Sequence, residues 1–188
     1  MSELDTQQKE NIKPIEIDPE ALKESFMSQV RDKIVEADHA LILKGLDCCI
    51  NSHASQKRAS GEPYYTHPIA VAEILMNMGL DQATIITALL HDTVEDTDMT
   101  LADLSRDFGE EISQLVDGVT KLTRIELQST ETKQAENFRK LVLAMSEDIR
   151  VLIVKLADRT HNMSTLGYIS KPHKQRRIAS DTIEIFAP

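Results

Sequence analysis

From residue 19 onward, apolar residues recur three and four positions apart, the spacing of helices with one face turned to a core. Leu22, Phe26, Val30 and Ile34 predict a first helix, and Pro19 and Glu20 suit its opening turn. A second helix is predicted over Ala37–Ser52, with an interruption near Gly45. Periodicity then stops from His53 to Thr66, where Gly61 and Pro63 mark a loop. His67-Pro68 predicts the start of a third helix, with Val71, Ile74, Leu75 and Met78 as its apolar face and Gly79 as its end. Residues 82–90 are apolar nearly all round, which predicts a helix at the centre of the domain. Thr100 and Asp103 predict a capping box, with Asp in place of the usual Glu or Gln, and Phe108-Gly109 closes that short helix.

A further helix is predicted over 110–122, and the polar stretch 123–131 reads as a loop or a frayed helical end. Asn137–Met145 reads as helical. Asp148 is the expected cap of Ile149–Asn162, with Ile149, Leu152, Ile153 and Leu156 as the buried stripe. A last helix is predicted from Pro172 to Ile185. No segment reads as a convincing strand, so the expected fold class is all-α. Residues 1–19 are aperiodic and polar and are expected to be a flexible lead; residues 20–188 form the expected single domain.

Charge and cysteines narrow the function classes. The formal net charge of −10 argues against DNA or RNA as partners, since displacing counterions from phosphates requires a basic face. An anionic small molecule would need a local cationic site built from a metal and a few Lys and Arg. No apolar run has bilayer-spanning length, and the first residues lack the basic start and apolar stretch of a signal peptide. Cys48 and Cys49 are adjacent, a poor arrangement for a disulfide or a zinc site. A cytoplasmic protein without membrane contact is expected.

The candidate chemistry sits where apolar helices begin or end. His91-Asp92 closes the apolar run 82–90, and Glu95-Asp96 follows four residues later. If the helix continues, each acid lies one turn beyond its counterpart. His67 and Asp158 are the other candidate ligands. Two imidazoles and two carboxylates suit Mn²⁺ or another first-row divalent ion. Bland alternatives stand beside these readings: His67 as a helix cap, Asp158 as a structural partner of Arg159 or Lys155, and Glu95 and Asp96 as a solvated turn. His161 fits a place in packing or behind a ligand better than ligation. His39, His53 and His173 lie in polar surroundings and are assigned no role. The available cations are Lys57, Arg58, Lys121, Arg139, Lys140, Lys155 and Arg159. Spacing alone leads to an all-α metal-dependent phosphohydrolase.

Longer stretches carry more. They are Arg58-Ala59-Ser60-Gly61-Glu62-Pro63-Tyr64-Tyr65-Thr66-His67-Pro68, Ala88-Leu89-Leu90-His91-Asp92-Thr93-Val94-Glu95-Asp96-Thr97, Val116-Asp117-Gly118-Val119-Thr120-Lys121-Leu122, Ala135-Glu136-Asn137-Phe138-Arg139-Lys140, and Asp148-Ile149-Arg150-Val151 through Lys155 to Met163. In this order they resemble the N-terminal HD hydrolase domain of RelA/SpoT-type alarmone enzymes, the SpoT branch above all. The resemblance implies an HD-domain helical bundle with a single divalent-metal site. It implies one Mn²⁺ held by His67, His91, Asp92 and Asp158, with Glu95 and Asp96 as the catalytic acids. Arg58 would pack on a guanine base, and Asn162 and Thr165 would contact the nucleotide. The implied substrate is guanosine 3′,5′-bis(diphosphate) or its pentaphosphate relative, and the implied products are GDP or GTP and pyrophosphate.

Ser164 stands where the family usually carries Arg. The sequence ends at Pro188, where relatives continue into a synthetase domain, so hydrolysis without synthesis is expected. The alternative is a catalytically weak remnant or regulatory module that binds guanosine polyphosphate or a separately encoded synthetase.

Overall fold

The computed structural model describes residues 17–127 and 148–183. Most of the predicted lead and the predicted helix Asn137–Met145, with Arg139 and Lys140, lie outside the described residues. Described in chain order, the helices are α1 (Pro19–Lys33), α2 (His39–Ser52), α3 (Thr66–Asn77), α4 (Gln82–Leu90), α5 (Thr93–Asp96), α6 (Leu101–Phe108), α7 (Glu110–Leu127), α8 (Ile149–Ser164) and α9 (Pro172–Asp181). A 3₁₀ turn, Leu166–Tyr168, links the last two. Among the described residues the only β pairing is an isolated bridge between Lys57 and Pro63. The fold is all-α, as the periodicity predicts.

Helix starts follow local chemistry. Asp18, Asp38, Asp81 and Asp148 each accept a backbone N–H of the first turn they precede. Thr100 and Asp103 form the reciprocal capping box, so the shorter Asp side chain does serve there. α3 begins at Thr66, one residue before His67. Pro68 is its third residue, a place where a missing N–H costs nothing because first-turn donors have no intrahelical acceptor. Gly79, with φ +77°, supplies the left-handed turn after α3.

α4 is the centre. Every residue from Thr84 to Leu90 is buried, and α2, α3, α7 and α8 pack around it. Gly45 does not interrupt α2. A Cβ there would stand 3.2 Å from Ile86 Cγ2, so the glycine allows α2 to lie close against α4. Gly118 does the same for α7 against α8, where a Cβ would meet Val151 Cγ2 at 2.7 Å.

Three further expectations are corrected. α7 continues as helix to Leu127, so residues 123–127 of the polar stretch are helical; the rest of that stretch lies outside the described residues. Met78 is exposed, and α3 instead buries His67, Ile69, Val71, Ala72, Leu75 and Met76. α8 is rotated from its predicted stripe: Ile149 and Leu156 are exposed, whereas Val151, Val154, Lys155 and Asp158 face inward. The buried Lys155–Asp158 pair takes the place that a purely apolar face would fill.

Candidate metal centre

The helix of residues 82–90 does not run on through the acidic pairs. It ends at Leu90, His91 and Asp92 form a turn, and α5 restarts at Thr93. The break places the two pairs on different elements. His91 and Asp92 point from the end of the most buried helix, while Glu95 and Asp96 ride on a four-residue helix beside it. His67 comes from the first turn of α3, and Asp158 from the middle of α8.

Four atoms converge. His67 Nε2 lies 3.1 Å from Asp158 Oδ1 and 3.8 Å from Asp92 Oδ2. His91 Nε2 lies 3.2 Å from Asp92 Oδ2 and 4.0 Å from Asp158 Oδ1. Ligand atoms on a six-coordinate ion with bonds of about 2.1 Å stand about 3.0 Å apart at neighbouring positions and about 4.2 Å apart across the ion. All four measured separations fall in that interval.

Hydrogen bonding decides which ring nitrogens face inward. His91 Nδ1 lies 2.7 Å from the Ala88 carbonyl, which can only accept, so Nδ1 carries a hydrogen. Nε2 is buried and has no hydrogen-bond partner. The Arg58 guanidinium can only donate, so His161 Nδ1, 3.2 Å from Arg58 Nη1, accepts. His161 Nδ1 is also 2.7 Å from His67 Nδ1, and the hydrogen between the two rings therefore belongs to His67. That leaves His67 Nε2 bare on the inner side. Burial, His67 and Arg58 lower the His161 pKa to about 4, which keeps that ring an acceptor.

Two ring nitrogens and two carboxylates thus face one another, an arrangement that needs a positive charge between them. The titration of the residues points the same way. Burial opposes charge on His91, yet Asp92 and Asp158 lift its pKa to about 9, so without an ion a proton on Nε2 supplies the positive charge that the two carboxylates call for. Despite burial, His91 holds the Asp92 carboxyl below the usual range, and Lys155 does the same for Asp158. Each ligand also has an outer partner. Tyr64 donates its hydroxyl to Asp92 Oδ2 at 2.7 Å, Lys155 Nζ lies 2.9 Å from Asp158 Oδ2, and Asn162 Nδ2 lies 2.6 Å from Asp158 Oδ1. Outer bonds of this kind fix ligand orientation. The donor set fits a divalent ion that prefers oxygen and imidazole.

The centre lies at one side of a cleft of about 480 Å³. Glu95 and Asp96 line the same cleft. Burial and the nearby Asp92 raise the Asp96 pKa. Arg58 lines it too, its guanidinium donating to Thr165 Oγ1 at 3.0 Å. Lys57, Lys174, Tyr168 and Ile178 form its outer part.

A family model described as the HD domain matches residues 46–188. The chain belongs to the HD-domain family. The Brucella ovis protein named GTP pyrophosphokinase rsh is 54% identical over 153 residues, 81% of this chain and 20% of its own length. The Escherichia coli protein named bifunctional (p)ppGpp synthase/hydrolase SpoT is 53% identical over 138 residues, 73% of this chain and 20% of its own. The HD domain described here therefore spans about a fifth of the length of these relatives. A solved structure of a metazoan ortholog of SpoT, described as hydrolyzing ppGpp, superposes with a TM-score of 0.64 at 23% identity, covering 78% of this chain and 83% of that one. That likeness establishes the fold.

His67, His91 and Asp158 offer ligand atoms within 4.8 Å of one another, Asp92 Oδ2 lies 3.2 Å from His91 Nε2, and Glu95, Asp96, Arg58, Asn162 and Thr165 stand in the walls of the same cleft. The helix-cap alternative for His67 fails, because it is buried in the first turn of α3 and the residue at the cap position is Tyr65. The structural pairing of Asp158 with Lys155 is present through one oxygen, while the other oxygen faces the histidines. His161 sits behind His67, the place expected of it. His53 departs from expectation. It is fully buried, with its ring centroid 4.9 Å from that of Tyr64. Tyr64 lay inside a quoted motif, but nothing in its spacing pointed to Asp92.

Proposed function

We propose that this HD domain removes pyrophosphate from the 3′ position of guanosine 3′,5′-bis(diphosphate) or its pentaphosphate relative, leaving GDP or GTP. The observation that carries the reading is the convergence of two imidazole nitrogens and two carboxylates in a cleft that also holds Glu95, Asp96 and Arg58. The names of the relatives at 53–54% identity supply the substrate. The cleft volume lies within the range of small-molecule sites.

His67, His91, Asp92 and Asp158 would hold one Mn²⁺, which when bound supplies Lewis acidity toward a phosphoryl oxygen and acidifies water. Water adds to the phosphorus attached to the ribose 3′-oxygen, that P–O bond breaks, and the leaving 3′-oxygen ends with the proton that the water gives up through Asp96. Asp96, whose raised pKa suits it to accepting a proton, takes one from the attacking water, and Glu95 orients that water. The Arg58 plane, braced by Thr165 and His161, offers a face for the guanine. Asn162, through its bond to Asp158, would hold that ligand while contacting the sugar. The site handles a free nucleotide; DNA, RNA and lipid have no part in the reaction, and the cytoplasm is where it would act. Among the described residues no helix is long and apolar enough to cross a membrane.

The test is product analysis after incubating the purified chain with guanosine tetraphosphate and Mn²⁺. GDP and pyrophosphate in equal amounts, lost in Asp96→Ala, are expected. If folded, metal-loaded protein binds the nucleotide but releases nothing, the regulatory-module reading replaces this one.

A further inference from the structure

His53 is a buried imidazole that the reaction above does not use, and its surroundings tie it to α5. It follows α2 directly, its N–H bonded to the Cys49 carbonyl at 3.2 Å. Its Nδ1 lies 2.8 Å from Gln56 Oε1. The other end of that amide, Gln56 Nε2, donates to the backbone carbonyl of Asp96 at 2.7 Å. Because a carbonyl only accepts, the Gln56 amide can face Asp96 one way only. Its oxygen must then face His53, so His53 Nδ1 carries the hydrogen. The His53 ring also rests against Tyr64, whose hydroxyl holds Asp92. The Gln56 carbonyl accepts the Tyr64 N–H at 2.9 Å. One side chain and one carbonyl of Gln56 therefore connect to both acidic positions, and His53 sets the orientation of that side chain from the end of a core helix.

α5 needs such a brace. A four-residue helix has almost no stability of its own, since each end leaves its backbone groups without intrahelical partners. Its N-cap residue, Asp92, makes no side-chain cap bond. The Asp96 carbonyl is one of the groups left over, and Gln56 takes it.

We propose that His53 and Gln56 form a positioning relay that fixes the Asp96 end of α5, and with it the Asp96 carboxylate, against the metal centre. This rests on the reading of Asp96 as the proton-accepting carboxylate, and both residues are positioning rather than catalytic. The brace itself exists whatever the substrate is, so it has a readout independent of turnover.

The experiment pairs steady-state kinetics with amide hydrogen exchange in the full chain. Gln56→Leu, at a half-buried position, removes the bond to Asp96. The expected result is a fall in kcat of about tenfold to a hundredfold, the range for small misplacement of a reacting group. KM, metal affinity and melting temperature are expected to be unchanged. Exchange at the Asp96 and Thr97 amides, bonded to Asp92 and Thr93, should rise while the rest of the protein keeps its protection. His53→Asn, whose amide nitrogen reaches the place of Nδ1, should retain kcat within about threefold; His53→Gln, which cannot donate there, should fall with Gln56→Leu. Unchanged exchange at Asp96 and Thr97 in Gln56→Leu overturns the relay, with or without measurable turnover. So does wild-type kcat in that variant, or a loss of kcat matched by equal losses of metal affinity and stability. A wild-type chain that hydrolyses nothing, yet shows the local rise in exchange in Gln56→Leu, keeps the brace and removes the catalytic reading instead.

Discussion

The two sides of the cleft are built on different principles. The metal side is over-determined: His67, His91 and Asp158 are almost fully buried, and each is gripped from behind by His161, Ala88 or Lys155. The outer side is open. Lys57 and Lys174 are exposed, and no residue of α9 is buried. The candidate ligands sit on the most buried helices. Under the proposed function, recognition of a charged, flexible nucleotide would be left to loops and an edge helix, where long side chains can follow the ligand.

Substitutions should separate the two sides. The largest effect is expected at Asp158→Ala. It removes a ligand and leaves Lys155 buried without its carboxylate, and breaking a buried pair in this way costs about 3–5 kcal/mol. Thermal unfolding of the metal-free variant measures that term apart from metal loss. Asp158→Asn, which keeps a hydrogen-bond acceptor beside Lys155, should be destabilised less, and equal losses in both would assign the cost to something other than the acceptor lost beside Lys155.

Arg58→Ala comes next, because Arg58 stands at the boundary of the two sides. We expect kcat/KM to fall about tenfold to a hundredfold, mostly through KM, with a small loss of metal affinity because His161 loses one of its two donors. A loss confined to kcat would move Arg58 from recognition into the reaction. The smallest effect is expected at Lys174→Ala: a rise in KM of a few fold that shrinks as salt is added, with no change in melting temperature, as for an exposed charge. Insensitivity to salt would mean that the outer side binds by something other than charge.

The same division explains what could be read from the chain alone. α4 was legible because its run is apolar nearly all round, whereas His91 and Asp92 at its end drew their meaning from the longer motifs around them, a lone His-Asp pair being weak evidence. α8 misled, because its burial pattern is set by the Lys155–Asp158 pair and periodicity counts only apolar residues. Gly45 misled for a related reason: a glycine that permits helices to touch looks like one that ends a helix, until Ile86 is seen against it. His53, Gln56 and Tyr64 were silent, since their importance comes from contacts with Asp92 and Asp96 about 30 to 40 residues away in sequence. Residues whose role lies in the bonds they make behind a ligand leave no pattern of spacing.

The most direct test is a titration of Mn²⁺ into metal-stripped protein, following pyrophosphate release and bound metal together. The account predicts that activity rises in proportion to bound metal and saturates at one ion per chain, and that His91→Ala neither binds the ion nor gains activity. Full activity without bound metal, or saturation only at two ions per chain, would contradict a single centre built from His67, His91, Asp92 and Asp158.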